Sequence, residues 1–136
     1  MTITTHTIYE YLINKFPGIS KYFKNGMIER HNEKSIGVLK APSTRAIPNV
    51  CIGGIECTAI RMLPINILVH WTKNQHECDI QANRIFDEML KEYPNFTVGD
   101  VNIAYFELLD NCPMSAGKDD HGICECIIRV NVYYYI

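Results

Sequence analysis

The stretch Met62-Leu63-Pro64-Ile65-Asn66-Ile67-Leu68-Val69-His70-Trp71-Thr72 decides the fold. Ile65, Ile67, Val69 and Trp71 fall on alternate positions, the period at which strand side chains share a face. Leu68 makes the opposite face partly apolar as well. A strand apolar on both sides belongs inside a sheet covered on both faces, or at a contact between subunits.

Downstream, Thr72-Lys73-Asn74 leads into a predicted helix over Gln75 to Tyr93. Ala82, Ile85, Phe86, Met89, Leu90 and Tyr93 recur at helical intervals, with Asn83, Arg84, Asp87, Glu88 and Lys91 opposite them. Pro94-Asn95 ends it. Thr97 to Asp100 reads as a turn, Val101 to Leu109 as a strand, and Asp110 to Gly122 as a polar loop. The chain then closes with a long strand from Ile123 to Tyr135. Cys124, Cys126, Ile128, Val130, Val132 and Tyr134 lie on one face of it, and Glu125, Arg129 and Asn131 on the other.

Upstream, Ile8, Leu12 and Phe16 recur every fourth residue, predicting a helix from Thr5 to Phe16 with Thr4 or Thr5 at its N-cap and Pro17-Gly18 stopping it. Ile19 to Phe23 adds a helical turn, and Lys24-Asn25-Gly26 signals a reversal. Ser35 to Leu39 reads as a short strand. Ala41 to Asn49 carries Pro42 and Pro48, which remove ladder donors and mark a loop. Val50 to Ile52 and Ile55 to Cys57 read as two short strands about a Gly53-Gly54 turn. The order predicts an α+β domain: one mainly antiparallel sheet flanked by two helices.

The chain's 136 residues suit a single domain, and its 47% apolar content suits a packed core. No apolar run approaches the roughly 20 residues that span a bilayer. The N-terminus, Met1 to His6, has no basic-then-apolar pattern, so no secretory signal is expected. The net charge is -2, without a basic run, which disfavours a protein that grips nucleic acid. In a reducing cytoplasm the six cysteines are expected to be free, mostly buried thiols.

The chemistry-bearing residues form no strong signature. Cys51 and Cys57, and Cys124 and Cys126, lack the paired spacing of structural zinc. Cys78, at a helix start where a thiol pKa can fall, could pair with His76 or His70 as a nucleophile. No third orienting group stands at a recognisable spacing. Asp119-Asp120-His121-Gly122 supplies too few oxygens for calcium and reads as a solvated turn. Gly53-Gly54 lacks the Lys of a phosphate loop. Tyr133-Tyr134-Tyr135 could stack bases, but without flanking Lys or Arg it fits a sheet cover or a subunit contact better.

The segment Pro64 to Asn74, followed by the amphipathic stretch Cys78 to Leu90, resembles the tail terminator or minor capsid proteins of long-tailed bacteriophages. The similarity extends to the N-terminal helix, the Gly-Gly turn, Ile103 to Leu109, the Asp119 to Gly122 loop and the tyrosine-rich final strand. The cysteine content departs from it. The resemblance implies a structural virion protein without catalytic activity or cofactor. Such a protein forms a ring, typically six-fold, at the head-proximal end of the tail tube. The ring halts tube polymerisation and meets the head connector, and DNA passes through without specific binding. Its expected partners are therefore its own copies, the tail tube protein and the connector. Expected interface residues are Arg45, Lys118, Asp119, Asp120, Tyr133 and Tyr135. A different head–tail joining protein, or the terminator of a tail-like bacteriocin, fits the same residues. A small cysteine-dependent enzyme and a nucleic-acid module are the readings from other classes.

Overall fold

The computed structural model describes residues 3–28, 33–42, 52–57 and 59–136. Along them run α1 (Thr5–Lys15), β1 (Phe23–Asn25), β2 (Ser35–Lys40), β3 (Ile60–His70), α2 (Gln75–Lys91), β4 (Phe96–Val98), β5 (Val101–Leu108), β6 (Met114–Lys118) and β7 (Cys124–Tyr135). Two 3-10 helices, Pro17–Tyr22 and Ile55–Cys57, complete the described elements. The strands form one sheet in the order β1-β2-β3-β7-β5-β4, with β6 also paired to β7. All its pairings are antiparallel except that of β1 with β2.

The two strands expected to be longest form its centre. β3 and β7 pair along their length, from Ile60 opposite Tyr135 to His70 opposite Glu125. That register places Ile65, Ile67 and Val69 beside Val130, Ile128 and Cys126, all buried on one face. Pro64 is tolerated inside β3 because its carbonyl accepts from Ala41 N–H, so its missing donor faces the side where β2 has just ended.

Both α-helices cover this inner face. α1 buries Ile8, Tyr11 and Leu12, and α2 buries Cys78, Ala82, Ile85, Phe86 and Met89. A buried Ile or Leu contributes about 1.5–3 kcal/mol relative to exposure, so this stripe is the main source of the fold's stability. Tyr11 meets Phe96 and Phe106 with ring centroids 5.7 and 5.2 Å away, tying α1 to β4 and β5. Asn74 caps α2 by accepting from the N–H groups of His76 and Glu77. Thr4 occupies the N-cap of α1. Mixed α/β content, strand-rich with helices on one face, is thus the architecture.

Several expectations are corrected. Leu90 and Tyr93 are 64% and 84% exposed rather than part of the α2 core stripe. Leu90 lies about 100° round the helix from Met89, off the buried stripe, and Tyr93 lies beyond the last helical residue, Lys91. The expected loop from Asp110 to Gly122 contains β6, whose five residues are all exposed. A strand with no buried face leaves no alternating signature. Ile55 to Cys57 is a 3-10 helix instead of a strand, closed by Cys57 N–H donating to Gly54 O. Lys24 and Asn25 belong to β1, and the reversal starts at Gly26, whose φ of 111° favours glycine. The expected strand at Val50 and Cys51, and the loop from residue 43 to 49, lie outside the described residues.

Candidate functional site: the outer face of the sheet

The side of the sheet turned away from α1 and α2 carries the alternate residues of each strand. They are Ser35, Gly37 and Leu39 of β2, the even-numbered residues of β3, the odd-numbered residues of β7, and Tyr105 and Glu107 of β5. This face has two unlike ends.

One end is closed. Ser35, His70 and Glu125 occupy one row across β2, β3 and β7, and all three are buried. Ile28 lies over Gly37 so closely that a Cβ there would be 2.7 Å from its Cγ2 and 2.7 Å from Gly26 O. From the other side, His70 Nε2 meets Asp119 Oδ2 at 2.7 Å, with the side chains 0% and 5% exposed. Asp119 Oδ1 accepts from the N–H groups of His121 and Ile123, each at 2.9 Å. The loop closes further through Asp119 N–H to Ile123 O and Gly122 N–H to Asp119 O. The His70 hydrogen bond first, then the Ile123 and His121 N–H groups, hold the Asp119 carboxyl down to about 2 against the opposing push of burial. Among the described residues, Ser35 Oγ and His70 Nδ1 are buried without a hydrogen-bond partner, each at a cost of about 1–3 kcal/mol.

Among the described residues, the other end is open. Ala41, Pro42, Met62, Pro64, Asn66, Glu107, Leu109, Arg129, Asn131 and Tyr133 line a shallow groove of about 440 Å³. Tyr105 stacks on Tyr133 with centroids 4.6 Å apart and planes 12° from parallel. The irregularity in β5 between Ile103 and Tyr105 turns Tyr105 outward to make this stack. Glu107 Oε1 accepts from Asn131 Nδ2 at 2.8 Å and from Tyr133 OH at 3.2 Å. Arg129 grips Asp110 through both carboxylate oxygens at 2.9 and 2.7 Å, which lowers the Asp110 carboxyl below its usual range. Tyr135 OH donates to Asn95 Oδ1 at 2.5 Å. Ile60, Tyr105, Leu109 and Met114 leave large apolar area exposed on or beside this face.

The expected interface residues therefore separate. Tyr133 and Tyr135 lie on the outer face of β7, near its open end. Lys118 and Asp120 are exposed at the loop beside β6. Asp119 turns its carboxylate inward to His70 and positions the loop. Arg45 lies outside the described residues. Sequence reasoning missed the joining of His70 to Asp119 across 49 positions. Their signal was faint: a histidine at a strand end and an Asp that can accept from the backbone two residues on. It also missed Tyr105, Glu107 and Asn131, which only the β5–β7 register brings together.

Three of the described cysteines, Cys78, Cys124 and Cys126, gather and are buried, while Cys57 and Cys112 are exposed. Cys78 Sγ lies 3.5 Å from Cys126 Sγ and 3.4 Å from Cys124 O, all buried on the inner face. The Cys78 contact first, then burial and the Asp79 carboxylate, push the Cys126 thiol up, so it stays protonated and unreactive. His70 projects from the opposite face of β3, and His76 is exposed. Among the described residues, no group of three or more His, Cys, Asp or Glu is placed to hold a metal ion. No helix among them is long and apolar enough to cross a membrane. Compared with known proteins, the chain matches no family model, no curated protein and no solved structure.

Proposed function

We propose that this chain is a structural protein of a phage virion: a tail terminator that acts as a homo-oligomeric ring, without catalysis or cofactor. The ring caps the head-proximal end of the tail tube, stops addition of tube subunits and receives the head connector. The observation that supports this reading best is the two-sided sheet. Both α-helices cover one face, while the open end of the other presents Met62, Pro64, Tyr105, Leu109 and Tyr133. Apolar and aromatic residues concentrated on one exposed face mark an association surface. The resemblance of Pro64 to Asn74 and of the tyrosine-rich last strand to tail terminators supplies the identity of the assembly. A tail-terminator-like fold and location at the head end of the tail belong to the same proposal.

In this reading the open end of β7 meets the next subunit, while Lys118 and Asp120 face the tube or the connector. Native mass measurement and electron microscopy of the purified protein, with and without tail tubes, test it. Rings, and tubes whose growth stops on adding the protein, are expected. Persistent monomers with no ring on added tubes would overturn it.

A further inference from the structure

Cys78, in the first turn of α2, and Cys126, on β7, meet where the helix starts over the sheet. Their sulfurs stand 3.5 Å apart across 48 positions of chain, and both are free thiols. The sulfurs of a disulfide stand at about 2.05 Å, so this pair has roughly 1.5 Å to close. Cys124 shares the face of Cys126 but directs its thiol to Lys73 O at 3.5 Å. Cys126 accepts from Cys78 and donates to Asp79 Oδ1 at 3.4 Å. A lone pair of the Cys126 sulfur therefore faces the Cys78 sulfur, while its proton faces a base. The pair is buried, yet beneath a thin cover. Gln75 and Asp79, both half-buried, lie beside Cys126, with Gln75 Nε2 donating to Asp79 Oδ1 at 2.8 Å. Both belong to the first turn of α2, and helix ends open at low cost.

We propose that Cys78 and Cys126 are a site of oxidative modification, joined by a peroxide into a disulfide that staples the start of α2 to β7. With hydrogen peroxide as oxidant, the Cys78 thiol takes one oxygen to become a sulfenic acid, and one water leaves. Cys126 does not begin the reaction, because its thiol keeps its proton. It completes it. Its sulfur attacks the Cys78 sulfur, Asp79 accepts the proton, and the S–S bond forms as hydroxide leaves Cys78. That hydroxide takes the proton from Asp79 and departs as a second water. One peroxide is thus reduced to two waters while two thiols become one disulfide. Glutathione in a reducing cytoplasm holds such a pair open, and an oxidising medium closes it. The link lies on the inner face, so it leaves the residues of the open groove untouched and does not depend on ring assembly.

The test treats the folded, reduced full chain with hydrogen peroxide at neutral pH, then alkylates the remaining thiols in denaturant and maps the peptides by mass. A peptide pair joined through Cys78, lighter by two hydrogen atoms than the free thiols, is expected, and fragmentation should place the bond on Cys126 and not on Cys124. Closing so long a loop restricts the unfolded chain, so the urea midpoint should rise by about 1 M and fall back on adding dithiothreitol. In Cys126→Ala, peroxide should leave the midpoint where it was. If that variant does not fold, the peptide map of the wild type decides alone. Recovery of Cys78 and Cys126 as free thiols after the exposed Cys57 and Cys112 have been oxidised would overturn the proposal. So would a bridge from Cys78 to another cysteine, or one that forms only in denaturant.

Discussion

The closed and open ends of the outer sheet face are made from the same strands, yet they solve the problem of an uncovered face in opposite ways. At the closed end β2, β3 and β7 place Ser35, His70 and Glu125 in one row, and chain segments fold over them. Ile28 sits on Gly37 there, and the Asp119 loop is latched by His70. At the open end the same β3 and β7 present Met62, Pro64, Asn131 and Tyr133 around a groove. Polar side chains there satisfy one another, as Glu107 does with Asn131 and Tyr133, without sealing the apolar surface between them. Among the described residues, the difference separates a part of the face covered by the chain's own segments from a part that those segments leave uncovered.

The largest expected effect tests the closed end. Gly37→Ala would set a Cβ 2.7 Å from a backbone oxygen, which cannot rotate away as a side chain can. It should destabilise the fold by about 1–3 kcal/mol, read as a lower urea midpoint at unchanged slope. An unaltered midpoint would show that the end is not closed, and the comparison would fail there.

Asp119 tests the latch. Asp119→Ala removes the acceptor of the His121 and Ile123 N–H groups, whose hydrogen exchange should rise roughly two- to tenfold. Amides of β3 and β7 should keep their protection. Acid probes the same contact. The folded carboxyl is held to about 2, below the usual 3.8, so its stabilisation is complete above 3.8 and is lost as pH falls through about 2. The His121 and Ile123 amide resonances should therefore titrate near pH 2 in the wild type and not in Asp119→Ala. A midpoint at the ordinary carboxyl value would break the latch.

The open end should behave differently. A double-mutant cycle over Tyr105→Ala and Tyr133→Ala is expected to give a coupling of about 0.5–1.5 kcal/mol in the monomer, the value of an aromatic pair. Each single variant should shift the protein from rings toward monomers in native mass spectra. Loss of stability without loss of assembly would assign these tyrosines to the fold alone, and the two ends would no longer differ.

How far the sequence foretold this contrast depends on what each feature leaves in local pattern. β3, β7 and α2 were legible because burial on one face imposes a period that a short window reveals. The α+β arrangement followed from their order. β6 was illegible because all of its residues are exposed, and only pairing with β7 defines it. The His70–Asp119 latch and the Tyr105–Tyr133 stack arise from pairing between distant segments, which no local period encodes. The tyrosines at the end of β7 suggest a contact in the sequence, but which of them faces outward depends on the register.

Leu90 provides the smallest effect and the sharpest control. Its apolar character suggested a core position, yet it is exposed on α2, a helix packed against the opposite face of the sheet. Leu90→Gln should change the unfolding free energy by less than about 0.5 kcal/mol, as surface substitutions away from special features do. If exposed apolar area drove assembly regardless of place, this variant would weaken the ring as the tyrosine variants do. If assembly belongs to the open end, the native mass spectrum of Leu90→Gln should match that of the wild type. A monomeric Leu90→Gln would move the contact to the helical face and leave the tyrosine groove without its role.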